Sequence, residues 1–267
     1  MKIGIIGTGN MGKALIGGLL RTYNDSISIS AFDLNQSAYN GLPAAVKTSH
    51  PNSWFEQGCT PDAVVVSVKP SDIGAAVSSI SSDSSLISSS LWISIAAGVS
   101  IASFEKILPD HCRICRVMPN TPALIAEGIS AFSLNKFCSP EDNSLVESIF
   151  KACGKVINVP EKMMNAVTGL SGSGPAYVFL FIEALIEGGV TAGLPYYAAR
   201  DCALQTVIGA AKMVLETNEN PAVLKAKVMS PAGTTANGLM ALEKNSFKYS
   251  VISAVLDAAK KAEQLGG

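Results

Sequence analysis

The feature that most narrows what this chain can fold into is an alternation. Through the first 160 residues, five short runs rich in β-branched and apolar side chains recur: KIGIIG (2–7), ISISAF (27–32), AVVVSV (63–68), LWISIA (91–96) and RICRVM (113–118). Between them lie MGKALIGGLLRT, SDIGAAVSSIS and SIASFEKIL, each apolar at helical spacing. Continuous apolar runs are what strands buried on both faces require, so the pattern predicts an α/β domain whose doubly wound, mostly parallel sheet carries helices on both sides. The serine-rich stretch SSISSDSSLISSS (78–90) lies between a helix and a strand of that sheet, so it reads as a helix end and a polar turn rather than a linker.

After Pro160 the strand signal stops. Five helical segments follow, beginning GPAYVFLFIEALIEGGVTAG, LPYYAARDCALQTVIGAAKMVLETN, NPAVLKAKVM, TANGLMALEK and SFKYSVISAVLDAAKKAEQL. Pro175, Pro195 and Pro221 stand at or near their starts, where proline is tolerated. The division therefore falls at 1–160 and 161–267. The first of the five helices is apolar nearly all round and must be buried on every side, which some hundred helical residues cannot arrange alone. It is expected to pack against a second copy of the chain.

At the end of the first strand stands GTGNMG, with Gly7, Gly9 and Gly12 in GxGxxG spacing, directly before an amphipathic helix. In that setting Gly7 permits a tight turn, Gly9 lets the backbone approach a pyrophosphate, and Gly12 lets helix and strand pack closely, which makes the segment a dinucleotide site. Asp33 ends the second strand, where a carboxylate can hydrogen-bond ribose hydroxyls. Leu34 and Asn35 follow it, with no arginine to neutralise a 2′-phosphate. That favours NADH and leaves NADPH open. SVKP (67–70) and IAAG (95–98) end the third and fourth strands, where ligands of open parallel sheets lie.

Other chemistry is excluded more readily. A net charge of −1 leaves no basic surplus for nucleic acid. The opening MKIGIIGTGN is too short an apolar run for a secretory signal, and AYVFLFI (176–182) falls short of the ~20 residues of a membrane span, so a cytoplasmic protein is expected. Six cysteines are scattered in apolar surroundings. Cys112 and Cys115 form one CxxC with no second pair, and on a strand their side chains point to opposite faces, so they read as packing residues and no metal is expected.

MPNTPALIAEG (118–128), SGSGPAYVF (171–179) and SPAGTTANGL (230–239), taken with the glycine turn, resemble the pyrroline-5-carboxylate reductases across essentially the whole chain, in order. The resemblance implies an N-terminal Rossmann domain and an all-α C-terminal dimerisation domain, with homodimers often assembled into a decamer. It also implies NADH- or NADPH-dependent reduction of 1-pyrroline-5-carboxylate to L-proline. The nucleotide would contact Ile6, Gly7, Thr8, Gly9, Asn10, Met11 and Gly12, the region of Asp33, then Asn52, Ser67, Val68, Lys69 and Pro70, and Ile95, Ala96 and Ala97, with Asn120 shaping the nicotinamide pocket. Substrate would meet Ser230, Gly233, Thr234 and Thr235, with Asn218 aligned to a position that is acidic in some members.

Unpaired N–H groups of Gly233 and Thr234 at a helix start can hold a carboxylate without a basic side chain, and the Thr235 hydroxyl can reach the ring nitrogen. Where the family usually has a glycine pair after Ser-Pro, this chain has Ala232 first, which argues against a left-handed backbone there. A β-hydroxyacid dehydrogenase would share the glycine loop but relies on a lysine in the first long helix, and GPAYVFLFIEALIEGG has none. A non-catalytic redox-sensing module would keep GTGNMG without needing the anion-binding helix start.

Overall fold

A computed structural model describes residues 1–55, 60–78, 80 and 84–266. Cys59 and part of the serine-rich stretch (79 and 81–83) lie outside the described residues. In chain order the elements are β1 (Lys2–Ile6), α1 (Asn10–Tyr23), β2 (Ser28–Phe32), β3 (Lys47–Thr48), β4 (Ala63–Val66), α2 (Ile73–Ser78), α3 (Ser84–Ser89), β5 (Leu91–Ser94), α4 (Ile101–Glu105), β6 (Arg113–Met118), β7 (Gly128–Leu134), α5 (Pro140–Lys151) and β8 (Gly154–Asn158). Helices α6 (Met164–Val167), α7 (Gly174–Thr191), α8 (Tyr196–Thr217), α9 (Pro221–Lys227), α10 (Thr234–Lys244) and α11 (Phe247–Gly266) complete the chain. The five expected strands are all present. The serine-rich stretch opens on the last residue of α2, the expected helix end, and carries a further helix, α3, which the sequence reading did not give it. Four residues between the two helices (79 and 81–83), where the expected polar turn would fall, lie outside the described residues.

The chain divides into two compact units, Met1–Ser173 with Leu256–Gly267, and Gly174–Val255. The first holds a sheet ordered β3-β2-β1-β4-β5-β6-β7-β8. Every neighbouring pair is parallel except β6 and β7. Alternate side chains feed two cores. Val65, Ile93, Cys115 and Val117 join Leu15, Leu19 and Phe150 in one, while Val64, Val66, Trp92 and Ile114 join Trp54, Phe55 and Phe104 in the other. Cys115 and Cys112 fall in different cores, as packing residues. Burial pushes the thiols of Cys138 and Cys153 up to about 11 and that of Cys115 well above its ordinary value, so none of these is a thiolate at neutral pH. The order reverses between β1 and β4, which opens a crevice beyond their carboxyl ends.

The second unit is helical, and among its residues only Ala199 and Ala203 are buried in the single chain. Tyr177 donates to the Ala254 carbonyl at 3.2 Å, and beside it an apolar groove of about 440 Å³ is lined by Val178, Phe181, Phe247 and Val251. None of α7 is buried, and Phe179 and Leu180 are more than 60% exposed. A helical unit that hides two alanines cannot hold itself together against chain entropy, so this surface is made to be covered. By length and composition Glu161–Thr191 is long and apolar enough to cross a membrane. That corrects the expectation drawn from the uninterrupted run at 176–182 alone, and a helix covered by protein passes the same test.

Candidate active site

The glycine turn sits at the point where the strand order reverses. Gly7 has φ 98°, and its N–H donates to the Phe32 carbonyl at 2.7 Å, so the turn joins the ends of β1 and β2. A Cβ at Gly7 would stand 2.5 Å from the Ser67 carbonyl oxygen, and one at Gly12 would stand 2.2 Å from the Gly7 oxygen. Both glycines are therefore required by the protein's own packing. Gly9 differs: its φ of −67° suits any residue, and a Cβ there would meet nothing within 4 Å. The open space lies on the outward side of the turn, at the N-terminus of the fourteen-residue α1. Its fit to a pyrophosphate is what a glycine without an internal reason suggests.

Around this turn the structure gathers most of the residues singled out for the nucleotide. Ile6 is buried, so only its backbone is available, while Asn10 is exposed and Met11 half-buried. Thr8 is fully buried, and its N–H and hydroxyl both donate to Asp33 Oδ2, at 2.7 and 3.2 Å. Asp33 Oδ1 takes the Asn35 N–H at 2.9 Å. The carboxylate is thus turned back to hold the glycine turn, a role the sequence reading did not give it. The Tyr39 hydroxyl brackets the same residue, accepting from the Asp33 N–H and donating to its carbonyl, both at 2.9 Å. Nothing in the sequence marks Tyr39, because the contact depends on how an irregular loop folds back.

Asn52 lies half-buried beyond the end of β3; its N–H donates to His50 Nδ1 at 3.3 Å, and the His50 ring stacks edge-on against Phe32. Ser67 donates its N–H to Ile6 at 2.7 Å, Val68 packs on the core, and Lys69 is exposed ahead of Pro70. Ile95 and Ala97 are half-buried and Ala96 is buried, on the loop that leaves β5. Between the loops leaving β4 and β5 a cavity of about 370 Å³ is lined by Pro70, Ser71, Gly74, Gly98 and Val99. Asn120 is buried with both ends of its amide engaged: Oδ1 accepts from the Ile129 N–H at 2.9 Å, and Nδ2 donates to the Ser171 carbonyl at 3.1 Å. Its amide ties the strand exit to the π-helical turn Thr168–Gly172, where Gly172 abuts Met118.

In the helical unit, Ser230–Gly233 forms a turn closed by the Gly233 N–H donating to the Ser230 carbonyl at 3.0 Å, which corrects the expectation that this N–H is unpaired and open to a carboxylate. Pro231 takes the second position and Ala232, at φ 55°, the third, as a type II turn demands. The expectation against a left-handed backbone at Ala232 is therefore corrected: the closed turn outweighs the alanine's preference. The turn delivers Gly233 as N-cap of the eleven-residue α10, and glycine has no side chain to accept from the first-turn amides. Positive helix end and amides are left to other partners. A Cβ on Gly233 would stand 2.2 Å from Ser230 Oγ, so glycine there lets the serine hydroxyl lie over the helix start. Thr234 is exposed and Thr235 half-buried. Asn218 ends α8 with φ 52° and an N–H to the Val214 carbonyl. Its neighbour Glu219 pairs with Lys227 at 2.6 Å across α9, which links the flanks of the Asn218 and Ser230 segments.

Residues 161–265 match the family model for pyrroline-5-carboxylate reductase dimerisation, and residues 2–98 match that for coenzyme F420-dependent NADP oxidoreductases. The chain is 41% identical to the pyrroline-5-carboxylate reductase of Synechocystis over 100% of this chain and 98% of that one. With the Escherichia coli enzyme the identity is 39% over 99% and 98%. The crystal structure of Plasmodium falciparum pyrroline carboxylate reductase with NADP bound superposes with a TM-score of 0.88 at 35% identity, covering 100% of this chain and 98% of the other. A glycine turn on a doubly wound sheet, an open helix start and full-length likeness agree, and the chain belongs to the pyrroline-5-carboxylate reductase family.

Proposed function

We propose that this chain reduces 1-pyrroline-5-carboxylate to L-proline with NADH or NADPH, and that its two candidate sites divide the work. The single observation that supports this most is the glycine-capped start of α10 after the left-handed turn at Ala232, a geometry that suits an anion without any basic side chain. The substrate carries one permanent charge, its carboxylate. Amides of Thr234 and Thr235 would take it, with the Ser230 hydroxyl beside them. The Thr235 hydroxyl, donor or acceptor as needed, would hydrogen-bond the ring nitrogen.

The glycine turn Gly7–Gly12 would hold the dinucleotide, with Asn52 toward the adenosine and Ser67–Pro70 and Ile95–Ala97 toward the nicotinamide. When bound, the reduced nicotinamide supplies the hydride for the C=N carbon. The protein's part is to hold the imine in line, keep its carboxylate anchored and exclude water, so orientation accounts for most of the rate. With an imine that arrives protonated, no strong general acid is needed beside it.

The helical part, read from residue 161 onward, is proposed as the substrate-binding and dimerisation domain of a homo-oligomer built from dimers, assembled further into a decamer. The uncovered face of α7 supports the first step of that assembly. The five described cysteines are free, in keeping with a reducing cytoplasmic compartment. The test is to follow absorbance of NADH and NADPH with 1-pyrroline-5-carboxylate: oxidation of at least one, with proline as product, is expected, and oxidation of neither would end the proposal. Gel filtration at micromolar concentration should give no monomer.

A further inference from the structure

Glu161 is none of the residues assigned to cofactor or substrate, yet its carboxylate holds the start of α4, the helix that follows the Ile95–Ala97 segment. Oε1 accepts from the Ile101 N–H, the first residue of α4, at 2.7 Å, and lies 3.4 Å from an Arg116 guanidinium nitrogen. The other terminal nitrogen of Arg116 donates to Asn165 Oδ1 at 3.2 Å. Arg116 is buried on β6 and is paired in register with Ser94, the last residue of β5. Ser94 Oγ in turn accepts from the Ala96 N–H at 3.4 Å.

The loop from Ile95 to Ser100 is therefore held at both ends. Ser94 fixes its entry. Its exit leads into α4, a five-residue helix with little stability of its own. Ser100 caps one orphan amide of that helix by accepting from Ser103 at 3.0 Å, and Glu161 takes another. Between the two anchors Gly98 has φ 81°, a point where the loop could otherwise swing.

We propose that Glu161 is a positioning residue for hydride transfer: its carboxylate, oriented by Arg116, pins the start of α4 and thereby fixes the Ile95–Gly98 loop where the nicotinamide would lie. This rests on reading Ile95–Ala97 as cofactor contacts. Loss of the pin leaves the glycine turn untouched, so the cofactor still binds but its reactive ring is held less well.

The experiment compares full-length Glu161→Ala and Glu161→Gln enzymes with the parent, measuring kcat, the Kd for NADPH by fluorescence titration, and hydrogen exchange at the Ile101 amide. Glutamine keeps an oxygen for the Ile101 N–H, and alanine does not. Expected for Glu161→Ala are a kcat lower by about 10- to 100-fold, a Kd within about threefold of the parent, and faster exchange at Ile101, with Glu161→Gln restoring most of the rate. A kcat within about twofold of the parent in Glu161→Ala overturns the proposal, as does equal loss in both variants or a parallel loss of kcat, affinity and melting temperature. An inactive parent would remove the site reading and the proposal together. An active parent with an indifferent Glu161→Ala removes the proposal alone.

Discussion

Gly9→Ala separates what the glycine turn does for the protein from what it does for the cofactor. At φ −67° and ψ −170° alanine is unstrained, and its Cβ has no atom within 4 Å to displace. Such a replacement trims the unfolded chain's freedom and adds about 0.4–1 kcal/mol of stability, so the melting temperature should hold or rise by about 1–4 °C. If a pyrophosphate lies against the bare backbone, the methyl occupies the space it needs. Losing one charge-assisted hydrogen bond to it costs about 1.5–3 kcal/mol, which raises the Kd for NADPH by about 10- to 150-fold. Gly12→Ala is the contrast. Its Cβ would lie 2.2 Å from the Gly7 oxygen, against 3.4 Å for ordinary contact, so helix and turn must part by about 1.2 Å and stability falls along with affinity. Thermal denaturation and a fluorescence titration on both variants decide the matter. A Gly9→Ala protein that binds NADPH as the parent does would show that the turn does not receive the dinucleotide.

Thr235→Ala should lower kcat/KM for the imine by about tenfold or more while leaving cofactor affinity unchanged, and equal turnover would take Thr235 out of the mechanism. Ala232→Gly releases about 1 kcal/mol of left-handed strain but adds nearly as much unfolded-chain entropy, so its melting temperature should stay within about 2 °C. Ala232→Val should raise substrate KM by about tenfold, because a β-branched residue cannot hold that turn; a parental KM would mean the turn does not present Gly233. Half-buried Cys138 and buried Cys153 have pKa values raised from 9.0 to about 11, so the native state binds more protons than the unfolded state between those values. Their contribution is complete below pH 9 and lost as pH rises toward 11. The urea midpoint should therefore fall from about pH 9 upward, less steeply in Cys153→Ala, and a level midpoint to about pH 10.5 would contradict this.

What could be read from the sequence, and what could not, follows from the range of the forces involved. β1, β4 and β5 are apolar on both faces, and that is a local property. Edge strand β8 is a five-residue GKVIN with no fully buried residue and no regular polar–apolar alternation, and β3 has two residues, so neither announces itself. Helix α5 was legible in principle: Ser139 and Asp142 form a capping box around Pro140, three residues that mark a start. The glycine turn declared itself because strand, turn and helix are contiguous. The bonds of Asn120 to Ser171 and of Glu161 to Ile101 did not, since they join groups 51 and 60 residues apart in sequence. At Ala232 the residue's own preference points away from the left-handed region, and the turn's closing bond, made by its neighbours, decides the backbone instead.

The helical unit turns this question of range into one about assembly. Its helices are legible one by one, from Pro195 ahead of α8 to Asn218 after it, yet burial of two alanines gives them almost no core within the chain. Apolar faces so exposed call for an oligomeric partner, in keeping with the dimerisation family model that matches residues 161–265, and the partner proposed above is a second copy. The turn at Ser230–Gly233 belongs to this same unit, so its geometry inherits the unit's dependence on a partner. Stability and activity should then fall together on dilution, by mass action, whereas the sheet unit with its two filled cores should stay folded. Activity that survived dilution to a demonstrated monomer would mean that α7 finds cover by some route other than a second copy.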